Sequence, residues 1–237
     1  MGSTENTEKW YDESYNHSGF KAQRLYPNEE MLRFLGRNYF SIPFSERQKI
    51  KVLEVGCGSC SNLWVVAKEG FQAYGIDISA ESIQLGEKML KKWQVSAKIS
   101  KASMTDLSFD DNEFDVIVDV FSSNCLNMKD FETYVSEAVR VLKPKGKLFI
   151  YTPSVYSTTF SNYAPAEKID EFTLNGIYRK DSPFYGNFYP FRFETEARLK
   201  ETLAANGFVV KYCETITRSY YDSKELFQHI SIEVEKE

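Results

Sequence analysis

Val52-Leu53-Glu54-Val55-Gly56-Cys57-Gly58-Ser59-Cys60-Ser61 decides the fold of this chain. An apolar run ends on an acid and then on a turn with two glycines. A second apolar run closes at Tyr74-Gly75-Ile76-Asp77-Ile78, again on an acid. Gly56 and Gly58 let the backbone turn tightly and come close to a ligand. The helix that follows turns its free N–H groups toward the same place.

Outward from this stretch, strands and helices alternate. Lys51 to Val55 is the first expected strand, Ser61 to Lys68 the first helix and Ala73 to Asp77 the second strand. Ser79 is expected to cap a helix that runs to Trp93. Ala97 to Lys101, Phe114 to Val120 and Lys147 to Thr152 read as three more strands. Asp130 to Leu142 reads as a helix, with Phe131, Tyr134, Val135, Ala138 and Val141 on one stripe, and Pro144-Lys145-Gly146 as a turn. A last helix runs from Phe193-Glu194-Thr195-Glu196 to Asn206 and stops at Gly207. Phe208 to Thr215 and Glu225 to Val234 make an antiparallel edge pair. The pattern predicts a doubly wound α/β fold: a seven-stranded, mostly parallel sheet with an antiparallel last strand.

Two segments stand outside the alternation. Residues 1–10 are polar and expected to fray. Residues 11–46 carry many rings and a helix starting at Pro27-Asn28-Glu29-Glu30, and form an N-terminal helical lid segment before the core at 50–152. Residues 153–191, after strand five, are too long for a simple connection and hold a run of Phe and Tyr. They read as an insertion that is a substrate-side wall, a mini-core of its own or a dimer contact.

With 237 residues, 42% hydrophobic and 27% charged, residues 1–237 suit a single domain. The net charge of -5 and the lack of a clustered basic face disfavour a nucleic-acid partner. Cys57 and Cys60 have redox spacing, but Gly58 between them already belongs to the glycine turn. His17, His229 and the cysteines show no metal-ligand spacing, so no metal is expected. No apolar run reaches the ~18 residues of a membrane span and no hydrophobic signal opens the chain, so no membrane partner and a cytoplasmic place are expected. Monomer and homodimer both remain open.

The acids discriminate between cofactors. A turn that cradles pyrophosphate wants a third glycine, and Ser61 stands there. Glu54 just before the turn opposes a pyrophosphate and suits a cationic group. Asp77 can accept hydrogen bonds from ribose hydroxyls.

Glu54-Val55-Gly56-Cys57-Gly58 resembles the first motif of class I S-adenosylmethionine-dependent methyltransferases, and Gly75-Ile76-Asp77-Ile78-Ser79 the second. Ala102 to Phe109 followed by Asn112-Glu113-Phe114-Asp115 resembles the adenine-flanking stretch, and Val141 to Leu148 the turn before strand five. The resemblance covers residues 50–152. It implies S-adenosylmethionine as cofactor and S-adenosylhomocysteine as product. It also implies that Gly56 and Gly58 contact the methionine part, Asp77 the ribose hydroxyls, and Ile78, Ser103 and Met104 the adenine, with Glu54 and Cys57 completing the expected cofactor-binding set. Ser103 stands where many relatives carry an Asp. Val120 lies under the cofactor, and Arg24 is a partner for the methionine carboxylate.

The chemistry is an in-line displacement that runs largely on alignment and desolvation. Candidate acceptor-binding residues are Tyr11 from the lid, Phe121 and Asn124 after strand four, and Tyr178, Arg179, Tyr185, Tyr189 and Arg192 in or beside the insertion. His17 is the candidate general base. The tetrad that family enzymes carry for DNA-base amines after strand four is absent. A small-molecule acceptor for O- or N-methylation is the leading expectation. A protein or RNA acceptor, a non-catalytic cofactor-binding protein and a nicotinamide oxidoreductase stay open beside it.

Overall fold

Short β-rich runs separated by amphipathic helices bury both faces of a sheet, and that is the arrangement found in a computed structural model, which describes residues 3–22 and 24–237. The chain order is α1 (Ser3–Ser18), a 3-10 turn (Gly19–Ala22), α2 (Glu29–Asn38), α3 (Phe44–Arg47), β1 (Lys51–Val55), α4 (Leu63–Lys68), β2 (Gln72–Asp77), α5 (Ala80–Trp93), β3 (Lys98–Lys101) and β4 (Phe114–Val120). A second 3-10 turn (Ser123–Cys125) leads to α6 (Met128–Val141) and β5 (Leu142–Pro153). Then come α7 (Thr158–Ser161), β6 (Thr173–Leu174), β7 (Phe191–Arg192), α8 (Glu196–Ala205), β8 (Phe208–Tyr220) and β9 (Glu225–Lys236).

Seven strands form one sheet in the order β3-β2-β1-β4-β5-β9-β8. β1 to β5 are parallel, and β9, the last strand, runs antiparallel between β5 and β8. The fold class read from sequence is therefore the one found. β6 and β7 pair as a small ribbon inside the insertion. β1 pairs with β2 on one side and β4 on the other, so the strand order reverses at β1 and leaves a crevice at the carboxyl ends of these strands.

The helices cap as their sequences direct. Asn28, Ser79, Asn127 and Thr195 accept hydrogen bonds from the backbone N–H of Met31, Ser82, Asp130 and Arg198. α2, α4 and α5 bury Phe34, Leu35, Leu63, Val66, Met89 and Leu90 on one face of the sheet. α6 and α8 bury Phe131, Tyr134, Val135, Leu199 and Leu203 on the other.

Three boundaries differ from expectation in ways that matter for the site. The stretch expected to fray is helical from Ser3: Thr7 is buried, Glu8 pairs with Lys101 at 2.6 Å, and Trp10 Nε1 donates to Gly186 O at 3.0 Å. α1 is thus anchored to the core and to the insertion. Met1, Gly2 and Gln23 lie outside the described residues. The expected turn at Pro144-Lys145-Gly146 falls within β5, at an irregularity of its pairing with β4, and Lys145 has φ +64°. β8 continues past Thr215 to Tyr220, which carries Arg218 and Tyr220 to the crevice.

Candidate functional site

The carboxyl ends of β1, β2 and β4 open on a cavity of about 430 Å³. Gly56 and Gly58 have φ +62° and +51°, the left-handed region that favours glycine. A Cβ on Gly56 would stand 2.5 Å from Ser122 Cβ and Oγ, so no side chain fits there. Ser122 Oγ donates to Gly56 O at 3.1 Å and ties the turn to the end of β4. The Asp77 carboxylate accepts from Gly58 N and from Ser79 N, both at 2.9 Å. The acid that ends β2 therefore holds both the glycine turn and the start of α5. Burial raises its pKa, and those two backbone N–H groups oppose the rise.

Glu54 is buried at the end of β1. Its Oε1 accepts from Asn62 Nδ2 at 2.7 Å, and Asn62 Oδ1 in turn accepts from Asn28 N at 2.8 Å. Its Oε2 has no partner among the described residues. Burial pushes the Glu54 pKa up to about 8, while Asn62 and Arg24 pull it down and Asp77 and Asp119 add to the rise. Arg24 is exposed as a residue, yet it lines the same cavity. There burial first, and Arg218 after it, hold its pKa below the usual value against Glu54 and Tyr151.

Rings line the rest of the cavity. Phe121, directly after β4, has φ +59°, a strained backbone for a bulky residue and a mark of functional sites. Its N–H donates to Tyr151 O at 2.8 Å, and its ring stacks on Phe184 with centroids 5.1 Å apart. Tyr11 and Tyr189 share a hydroxyl hydrogen bond of 3.0 Å, with their rings 5.2 Å apart. The β5–β9–β8 register sets Tyr151, His229 and Arg218 on the sheet face that packs against α2. Tyr151 and His229 stack at 4.6 Å.

All ten residues expected around the cofactor line this one cavity: Arg24, Glu54, Gly56, Cys57, Gly58, Asp77, Ile78, Ser103, Met104 and Val120. Of those expected on the acceptor side, Tyr11, Phe121 and Tyr189 line it as well. The others do not. Tyr178 and Tyr185 are exposed on the insertion, and Tyr178 stacks on Phe188 instead. Arg179 is taken by a two-pronged ion pair with Glu225 at 2.6 and 2.7 Å. Arg192 is fully buried against Glu194 and the Phe131 ring. Asn124 is fully buried outside the lining. His17 is exposed near the end of α1 and outside the lining, which removes it from the position a base needs.

Sequence reasoning passed over Arg218 and Tyr220, assigned His229 no part in the site, and left Trp10, Tyr151 and Phe184 among many rings. All six line the cavity. The pairing of late strands against β5 brings four of them there. Among the described residues, no group of three or more His, Cys, Asp or Glu could hold a metal ion, and no helix is long and apolar enough to cross a membrane.

A glycine turn, an acid ending each of two neighbouring strands, and a cavity at the switch point define a nucleotide-type site on a doubly wound sheet. Residues 52–146 match the family model described as a methyltransferase domain. The demethylmenaquinone methyltransferase of Bacteroides fragilis is 34% identical over 145 residues, 58% of this chain and 57% of that one. The enzyme of the same name from Tropheryma whipplei is 35% identical over 102 residues, 42% of this chain and 40% of that one. The chain thus spans 40% to 57% of the length of these relatives. The magnesium protoporphyrin IX methyltransferase of Synechocystis, solved with S-adenosylhomocysteine bound, shares the fold over 100% of both chains with a TM-score of 0.68 at 11% identity. Residues 52–146 thus resemble a methyltransferase domain, and the whole chain shares the fold of that solved enzyme.

Proposed function

We propose that this protein transfers a methyl group from S-adenosylmethionine to a small-molecule acceptor by in-line displacement. One observation carries the reading: the cavity that joins Glu54, Asp77 and the glycine turn also has a wall of rings from α1, β4 and the insertion. The buried, unpaired Glu54 Oε2 beside Arg24 fits a ligand with adjoining cationic and anionic groups. When bound, the cofactor supplies a methyl group activated by a sulfonium.

Glu54 faces the amino group of the methionine part and Arg24 its carboxylate. Asp77 accepts from ribose hydroxyls with the lone pairs left beside its two backbone donors. Ile78 and Met104 flank the adenine. Ser103 is engaged with Thr105 at 2.8 Å and offers the adenine its remaining hydrogen-bonding capacity. Phe121, Tyr11 and Tyr189 exclude water and align the acceptor. His229 stays neutral, its pKa lowered to about 3 by burial first and then by Arg218.

The anchoring of α1 to the insertion through Trp10 and Gly186 gives the cavity a cover, which favours a small molecule over a protein or RNA. The curated relatives include methyltransferases named for demethylmenaquinone and tocopherol, and acceptors with rings suit the same wall. The four free cysteines suit the reducing cytoplasm.

Calorimetric titration with S-adenosylhomocysteine tests the reading. A carboxyl with a pKa of about 8 holds its proton below that pH and must lose it to pair with the ligand's ammonium. Affinity is therefore expected to fall as pH drops below 8, by up to about tenfold per unit, with up to one proton released on binding. Glu54→Gln should abolish the proton release. An absence of binding would contradict the methyltransferase reading, and a pH-independent affinity without proton release would contradict the role of Glu54.

A further inference from the structure

Four ionic side chains line the cavity: Glu54 and Asp77, Arg24 and Arg218. The proposed cofactor accounts for three. Glu54 meets its ammonium, Arg24 its carboxylate and Asp77 its ribose. Arg218 is left over.

Its surroundings make the surplus specific. Arg24 and Arg218 are both exposed as residues, and among the described residues neither side chain has an ion pair or hydrogen bond. The charge of Arg218 is felt by Arg24, Tyr151, His229 and Glu30. Two like charges thus share a cavity, and only one has a cofactor group to neutralise it. The groups packed beside Arg218 complete a polar end. Tyr151 and Tyr220 both line the cavity with it. Burial raises the Tyr151 pKa, which keeps its hydroxyl a donor at neutral pH. His229 is 4% exposed, and its Nδ1 has no partner among the described residues. The apolar end lies against it: Phe121 is 5.6 Å from the His229 ring and stacks on Phe184.

We propose that Arg218 is the specificity residue for the methyl acceptor, and that the acceptor is a ring-bearing small molecule with a carboxylate. The ring packs against Phe121 and Phe184, and the carboxylate pairs with Arg218. One guanidinium flanked by phenol hydroxyls and a neutral imidazole matches a single negative charge better than a phosphate dianion. This inference rests on the methyltransferase reading above.

The test uses the wild-type protein saturated with S-adenosylhomocysteine, titrated calorimetrically with 4-hydroxybenzoate and 2-naphthoate and with their methyl esters. At least one carboxylate is expected to bind about tenfold or more tighter than its ester. R218Q should abolish that preference and leave the affinity for S-adenosylhomocysteine within about twofold, and R218K should keep part of the preference. No preference in the wild-type complex, including no binding of any probe, overturns the proposal. So does a loss of S-adenosylhomocysteine affinity in R218Q equal to that in R24Q, which would assign Arg218 to the cofactor carboxylate. Failure of the wild type to bind S-adenosylhomocysteine would instead sink the methyltransferase reading.

Discussion

Asp77→Ala is expected to weaken binding of S-adenosylhomocysteine about 100-fold or more. Two effects add. The substitution removes the acceptor for ribose hydroxyls, and hydrogen bonds to a charged group contribute about 1.5–3 kcal/mol each. It also frees Gly58 N and Ser79 N, which both donate to this carboxylate at 2.9 Å. The glycine turn then loses its tie to the start of α5. Asp77→Asn keeps one carbonyl acceptor and is expected to lose less. Calorimetry reads both, and the circular dichroism spectrum should stay native because the sheet around β2 does not depend on this side chain. Near-unchanged affinity for Asp77→Ala would reject the ribose role.

The second large effect concerns folding. Arg192 was a candidate for acceptor binding, and the structure gives it another task. It is fully buried, pairs with Glu194, donates to Leu126 O at 3.1 Å and Ser123 O at 3.0 Å, and lies 3.6 Å from the Phe131 ring centroid. Arg198 also pairs with Glu194. Arg192 thereby stitches the end of the insertion to the segment after β4 that carries Cys125 and Leu126 of the cavity wall. Burial lowers its pKa to about 9. Removing Arg192 leaves Glu194 with Arg198 alone and takes a donor from two buried carbonyls, and breaking a buried ion pair costs about 3–5 kcal/mol. Arg192→Ala should lose that much in urea denaturation, a large share of the about 5–15 kcal/mol typical of a domain. Arg192→Met combined with Glu194→Leu should recover part of it. A loss under about 1 kcal/mol would show that Arg192 is no clamp.

The part of the cavity proposed for the cofactor is legible in the sequence because it is local. Glu54, Gly56, Gly58 and Asp77 end strands or form the turn beside them, and strand ends at a switch point leave little choice of where they face. Val120 and Phe121 follow by the same logic at the end of β4.

The part proposed for the acceptor is assembled from segments distant in the chain. The rings of the insertion are alike in sequence, and only packing separates Tyr189 and Phe184, which face the cavity, from Tyr178 and Tyr185, which face solvent. Leu174, Ile177, Tyr189, Phe191, Phe193 and Phe227 form a core around the insertion, so its rings serve two purposes. Arg179 meets Glu225 across a separation of 46 residues, which no local pattern shows. Arg218 and Tyr220 stayed hidden because β8 past Thr215 is polar and mostly exposed, without the alternation that marks a strand. A signal was present in α1. Thr7, Trp10, Tyr11 and Ser14 recur at helical spacing and all line the cavity, a stripe masked by the polar average of the first ten residues.

A crystal structure of the protein with S-adenosylhomocysteine bound tests the central claim most directly. The account predicts the ribose hydroxyls on Asp77, the amino group on Glu54, the carboxylate facing Arg24, and open space beyond the sulfur bounded by Phe121, Tyr189 and Arg218. A ligand seated elsewhere, or one whose carboxylate meets Arg218 while Arg24 stays in solvent, would contradict it.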